Sequence, residues 1–154
     1  MKKTLLRFAY RSYRVQRRLR RPILQGVRIL LLHEEKVVLV YHTYQSGWFL
    51  PGGGVKRGET LMEAAMREAN EESGARFFGL PRLLGVYTNF KDGVSDHIAV
   101  FTCDAFVRAT PTDRWEISKV RDFALTDLPD DISPGCHRRI LDHSAGNGPY
   151  AGIW

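Results

Sequence analysis

Cysteine is almost missing from this chain, which has two thiols, Cys103 and Cys136, in 154 residues. They show no C-x-x-C or other ligand spacing, which excludes a thiolate metal site and a disulfide framework, and they are read as reduced thiols of a cytoplasmic protein. Long apolar runs are missing too. No stretch approaches the roughly 20 residues that cross a bilayer, and early pairs such as Leu5-Leu6 are too short for the apolar centre of a signal peptide. Low-complexity tracts and internal repeats do not occur, which excludes a repeat architecture or a low-complexity chain. The last absence is local: residues 1–21 contain no Asp or Glu yet hold nine Lys or Arg. The remainder carries 14 basic and 17 acidic residues, so the net charge of +6 belongs to the N-terminal arm and the body is slightly acidic.

What is present is enough for one core. A chain of 154 residues reads as one domain, divided into a basic helical arm (1–21), a body (22–145) and a tail (146–154) with no readable role. The arm has helix-forming composition, with Leu5, Leu6, Ala9, Tyr13 and Gln16 along one side, until Pro22 ends the pattern. Three roles are open to it: a helix docked on the body with its arginines in solvent, a grip on anionic lipid or RNA backbone, or a contact between subunits, as in a dimer. In the body, residues 27–33 (VRILLLH) and 37–44 (VVLVYHTY) are near-continuous apolar runs around Glu34-Glu35-Lys36, and they predict buried neighbouring strands. Residues 83–90 and 97–107 predict a hairpin about Asp92-Gly93, residues 120–125 a further strand, and residues 134–143 a closing helix. This order predicts an α/β/α sandwich on a mixed β-sheet.

The densest chemistry lies in residues 51–75, PGGGVKRGETLMEAAMREANEESGA. A glycine-rich turn leads into a helix with Thr60 as N-cap, Glu63 completing a capping box, and Gly74 as its stop. Glu68, Glu71 and Glu72 lie at i, i+3 and i+4 on one helical face, and Leu61, Met62, Ala65, Met66 and Ala69 form an opposite, core-facing side. Like charges at that spacing repel, so the cluster makes sense around a divalent cation. Carboxylate oxygens without His or thiolate favour a hard ion, Mg2+ or Mn2+ ahead of Zn2+. A bare E-x2-E-E is ordinarily a solvated acidic face. That reading weakens when Gly53, Glu59, Arg67, Glu68, Glu71, Glu72 and Gly74 are taken together, since roughly one window in 10^8 holds seven such residues by accident. Gly52, Gly53 and Gly54 let the backbone approach a ligand and offer carbonyls as metal donors.

These residues resemble the signature of the Nudix hydrolases, G-x5-E-x7-R-E-U-x-E-E-x-G-U with U a bulky aliphatic, over the segment from Gly53 to Ala75. Both U positions, Ala69 and Ala75, are small here, a departure that concerns packing. The resemblance implies the sandwich fold and hydrolysis of a diphosphate linkage in a nucleoside diphosphate joined to a group X. It also implies Mg2+ or Mn2+ held by Glu68, Glu71 and Glu72, with the Gly52 carbonyl as an extra ligand, and Arg67 paired with Glu59 in support of them. Members differ over which carboxylate takes the proton from water. Glu68 is the first candidate, because a base off the tightest metal shell keeps more basicity.

Outside the signature the residues leave more open. Lys56 and Arg57, in the loop over the site, are phosphate contacts or a solvated turn. Trp48 is a stacking surface for a base or a core aromatic before a turn. Many family members supply another carboxylate from elsewhere; the candidates are Glu116 and Asp96, with Asp92 behind them. Residues 116–119 resemble an E-I-x-E stretch whose second acid is Lys119 here. His97, beside Asp96, is an assisting group or a structural histidine. Three functions compete: a hydrolase of nucleotide derivatives, an RNA 5′-pyrophosphohydrolase that uses the basic arm, and a non-catalytic nucleotide sensor. Retention of every signature acid argues for an enzyme.

Overall fold

In the computed structural model of the chain, the described residues are 12, 23–91, 94–113 and 115–154. The arm predicted for residues 1–21, Ser12 apart, and the turn at Asp92-Gly93 lie outside them. The described chain runs β1 (Ile23–His33), β2 (Lys36–His42), β3 (Trp48–Phe49), α1 (Leu61–Ser73), β4 (Ala75–Phe77), β5 (Arg82–Lys91), β6 (Val94–Cys103), β7 (Phe106–Arg108), β8 (Ile117–Ala124), α2 (Pro134–Ala145) and β9 (Tyr150–Ile153). The predicted α/β/α sandwich on a mixed sheet is what forms. Among these residues no helix is long and apolar enough to cross a membrane.

The sheet is built outward from β1. On one side β1 pairs parallel with β6, from Ile23 opposite Ser95 to Leu31 opposite Cys103. β6 is antiparallel to β5, and β5 parallel to β9. On the other side β1 meets β2 only at the hairpin end, at Leu32–Val37 and His33–Lys36. The turn between them places Glu34 and Glu35 at φ 47° and 58°, the left-handed pair that matches the twist of the flanking strands. Beyond the hairpin the strands part, and the chain after β2 enters the gap. Trp48 and Phe49 pair with Tyr41 and Val40. The Pro51 and Gly53 carbonyls then accept from the Ile29 and Val27 amides at 3.0 and 2.9 Å, and Gly26 bridges Gly54. The glycine turn is thereby fastened along β1, while β8 covers the other edge of β2.

Alternation along β1 feeds two cores. Val27, Ile29 and Leu31 join Val38, Ala99 and Phe101 beneath α1, whereas Leu30 joins Leu39, Val100 and the α2 residues Cys136 and Ile140. The fully buried Leu and Ile side chains among them contribute about 2 kcal/mol apiece by leaving water. α1 meets the sheet through Ala64, Ala65 and Ala69, small side chains that bring its backbone close. Its ends are as predicted. Thr60 Oγ1 accepts from the Glu63 amide at 3.2 Å while Glu63 Oε2 accepts from the Thr60 amide at 2.8 Å, and Gly74 closes the helix at φ 75°.

Two expectations need correction. The strand predicted over 97–107 breaks after Cys103, and β7 turns away to pair with β4 in a separate two-stranded ribbon. The tail, expected to have no role, supplies β9, which satisfies the outer edge of β5 that would otherwise stand open. Trp154 then packs over the first turn of α2, where a side chain at Gly135 would overlap its indole.

Candidate functional site

The glycine turn and the carboxylate face of α1 are made for each other. A Cβ at Gly52, which has φ 145°, would overlap the Val27 carbonyl, so only glycine can lie this close to β1. A Cβ at Gly53 would stand 2.7 Å from Glu68 Oε1. The missing side chain is the room in which the Glu68 carboxylate lies.

Arg67 sits in the middle of the acids. Its Nε and Nη2 donate to the two oxygens of Glu59 at 2.5 and 3.0 Å, the two-pronged geometry that makes such pairs strong. Nη1 donates to Glu68 Oε1 at 2.7 Å and Glu71 Oε2 at 3.1 Å, and Nη2 also to the Gly54 carbonyl at 3.1 Å. Glu59 accepts from the Lys56 amide as well, at 2.8 Å. The Arg67 bonds, and then that amide, hold the Glu59 carboxyl down at about 2. The bond to Glu59 raises the guanidinium pKa in return.

Glu72 departs from the expected exterior face. It stands seven residues after Ala65 and three after Ala69, so it shares their buried stripe while adjoining Glu68 and Glu71. It is 4% exposed, its Oε2 accepts from the Gly52 amide at 2.9 Å, and burial pushes its carboxyl up to about 8 against the opposing influence of Arg28. Glu72 thus lies deeper than Glu68 and Glu71. Among the described residues no three His, Cys, Asp or Glu side chains are arranged to hold an ion, and the cation lying between Glu68 and Glu71 is the Arg67 guanidinium.

The segment after β7 closes one side. The Asp113 amide donates to the Glu71 carbonyl at 2.8 Å, and Asp113 Oδ1 accepts from the Trp115 and Glu116 amides at 3.1 and 2.9 Å. The Thr43 amide donates to the Glu116 carbonyl at 2.7 Å. Held there, the Glu116 carboxyl is pushed up, first by the burial it has and then by Asp113, Glu68 and Glu71. Lys56 Nζ lies 3.9 Å from Glu71 Oε1, and Arg57 is exposed beside it. Asp96 lies by the glycine turn, with its Oδ1 3.6 Å from where a Gly26 Cβ would stand. His97 Nδ1 is 3.0 Å from Thr88 Oγ1, a structural pairing. Of the two readings of Trp48 the structure takes the core one: it is 6% exposed and packs edge-on against Tyr41 and Phe123 at 5.3 and 4.8 Å.

Three residues escaped the sequence reading. Asp113 belongs to no motif in the sequence. Arg28 stands in the apolar run of β1, where its Nη1 donates to the Leu50 carbonyl at 3.3 Å and to the Gly52 carbonyl. His42 is 3% exposed with neither ring nitrogen bonded among the described residues, and burial, then Arg28, lowers its pKa to about 4. A lone charge inside a continuous apolar run was the one available signal, and it pointed to Arg28.

The model of the NUDIX domain matches residues 22–143. The chain belongs to the NUDIX family. Among curated relatives, an uncharacterized Nudix hydrolase of Bacillus subtilis (YvcI) is 37% identical over 70 residues, 45% of this chain and 42% of that protein. A putative 8-oxo-dGTP diphosphatase of the same organism is 37% identical over 75 residues, 48% of this chain and 50% of that protein. The chain spans half or less of the length of these relatives. Among solved structures, a MutT NUDIX hydrolase from Burkholderia pseudomallei superposes with a TM-score of 0.72 at 22% identity, covering 79% of this NUDIX chain and 98% of that one. A UDP-X diphosphatase superposes with a TM-score of 0.69 at 24% identity, covering 85% and 67%. At such identities these two likenesses carry the fold.

Proposed function

We propose that this chain is a metal-dependent pyrophosphohydrolase that cleaves the diphosphate of a nucleoside diphosphate derivative, NDP-X, to NMP and P-X. The observation that carries the reading is the gathering of Glu59, Arg67, Glu68, Glu71 and Glu72 against a glycine turn fastened to β1. The name of one curated relative, a putative 8-oxo-dGTP diphosphatase, supports the same substrate class.

The donor types, though not gathered on one point here, are those a hard cation takes. Glu68 and Glu71 each meet Arg67 through one oxygen, and their second oxygens with Glu72 offer carboxylate donors only, the set that Mg2+ or Mn2+ takes. A bound ion would supply charge neutralisation at the diphosphate and a water of lowered pKa. Arg67, anchored by Glu59, orients Glu68 and Glu71 and offsets their mutual repulsion. In this reading Glu68, lodged against Gly53, takes the proton from water. Lys56 and Arg57 offer cations to phosphate oxygens at the open side, and Glu116 faces the acids from the opposite segment.

The test is product release from a panel of nucleoside triphosphates, ADP-ribose, NADH, dinucleoside polyphosphates, sugar nucleotides and triphosphorylated RNA, with Mg2+ or Mn2+, for the wild type and Glu71→Gln. Turnover that needs the ion and collapses in the variant is expected. No ion-dependent turnover anywhere on the panel would leave a nucleotide-binding module in place of an enzyme. Should RNA alone turn over, with affinity falling steeply as salt rises or residues 1–21 are deleted, the basic arm would be part of the substrate site.

A further inference from the structure

Among the described residues the α1 side of the sheet is covered on one half and open on the other. α1 lies over Val27 and Ile29 of β1 and Ala99 and Phe101 of β6. The pairing register carries the same face outward onto β5 and β9. Val86 stands opposite Ala99 and Phe90 opposite Ser95, while Ala151 and Ile153 stand opposite Val86 and Thr88. Opposed residues of a ladder share a face, and the 3.0 Å approach of Thr88 Oγ1 to His97 Nδ1 agrees with that. On this half Phe90 is 68% exposed and Ile153 64%, with Leu83, Val86 and Ala151 exposed beside them. Ile23, at 79%, extends the patch to the start of β1, since Ile23 and Phe90 both stand opposite Ser95. Apolar side chains gathered on one open sheet face ordinarily have a partner.

We propose that residues 3–20 form a helix that lies on this half of the sheet, beside α1, with its apolar side against Val86, Phe90 and Ile153. Three observations select the chain's own arm as the occupant. The arm reaches the patch at its corner, because Pro22 directly precedes the exposed Ile23. Its pattern fits: Leu5, Leu6, Ala9 and Tyr13 share one side of a helix, while Arg7, Arg11, Arg14, Arg18 and Arg21 recur at helical spacing on the other. Its length fits too, since residues 3–20 span about 27 Å as a helix and β5 about 23 Å from Leu83 to Phe90. β5 runs against the direction of β1, so Phe90 lies at the Ile23 end and the start of the arm comes to Leu83. A second copy on the same face would bring together two arms of nine cations each. The docked arm avoids that repulsion by turning its arginines outward.

The experiment uses the full chain, in which Cys103 and Cys136 are buried. In Ala9→Cys/Val86→Cys, oxidation at low protein concentration closes an intramolecular disulfide at least about tenfold faster than in Ala9→Cys/Leu141→Cys. Leu141 is the control because it is exposed on α2, across the sheet. Equal rates in the two variants would overturn the proposal. Trypsin gives a second readout without engineered thiols. Cleavage within residues 1–21 is expected to be about tenfold faster in Phe90→Ser/Ile153→Ser than in the wild type, although neither position is a trypsin site. An arm cut equally fast in both would sink the docking. Protection that rises with protein concentration would assign the face to a second copy, and protection that needs phosphatidylserine vesicles would assign the arm to a lipid surface. Either result overturns the inference. None of these readouts depends on turnover, so the hydrolase reading stands or falls separately.

Discussion

The two helices are alike in outline and opposite in use. α1 and α2 have 13 and 12 residues, end on the left-handed glycines Gly74 and Gly146, and contribute to the two opposite cores of one sheet. Each carries an arginine that organises its surroundings. Arg67 on α1 holds three carboxylates. Arg139 on α2 lies 3.7 Å over the Tyr87 ring, 2.8 Å from Asp142 Oδ2, and donates to the Ile153 carbonyl at 3.1 Å, which fastens β9. The difference is in the charge left over. Around Arg139 one acid meets one guanidinium, and the other partners are the Tyr87 and Trp154 rings and a backbone carbonyl, so charge is balanced there. Around Arg67 three acids meet one guanidinium, with Glu72 buried beside them, and the excess negative charge is what a divalent ion can use.

The largest expected effect isolates that excess. Glu72→Gln keeps an acceptor for the Gly52 amide but removes the carboxyl that a bound cation would ionise, and steady-state hydrolysis is expected to fall about 10^3-fold with little change in Tm. Next comes the paired exchange of the two arginines. Arg139→Met should lower stability by about 3 kcal/mol in urea unfolding, because it removes the guanidinium paired with Asp142 and leaves that carboxylate only the Tyr87 hydroxyl among the bonds described here, while kcat/KM holds. Arg67→Met should instead lower kcat/KM about 10^2-fold. Equal losses of activity in the two variants would break the comparison.

A third prediction concerns a group on the α1 side that must stay uncharged. His42, lowered from 6.5 to about 4 by burial, stays neutral when folded at pH values where the unfolded chain already binds a proton. Its contribution is therefore full above pH 6.5 and is lost as the pH falls toward 4, by about 3 kcal/mol. Urea unfolding from neutral to acidic pH should show this limb in the wild type and a flatter one in His42→Phe. The smallest effect belongs to the α2 side. Gly135→Ala pushes the Trp154 indole off the helix start and should cost about 1–2 kcal/mol without altering turnover.

Legibility followed the range of the interactions. Thr60, Glu63 and Gly74 were readable as caps because each bonds within a turn or so of its own position. The paired acids and Arg67 were readable for the same reason, and their pattern carried the family. Trp48 was ambiguous because an aromatic before a turn looks the same whether it meets Phe123 or a ligand, and the meeting with Phe123 spans most of the body. The tail looked empty because β9 has four residues with little apolar pattern, and its pairing partner β5 lies some sixty residues upstream.

By itself, then, the order of residues determined the helix, its caps, the glycine turn and the identity of the acids, since these depend on periods of a few residues and on backbone freedom at single positions. Only the tertiary structure decided that Glu72 faces inward, that Arg28 holds the Gly52 carbonyl, and that Glu116 comes up beside the helix. The reason is the parting of β1 and β2. Where two strands separate, the backbone groups of the segment that enters the gap need partners, and which side chains supply them depends on the register of distant strands.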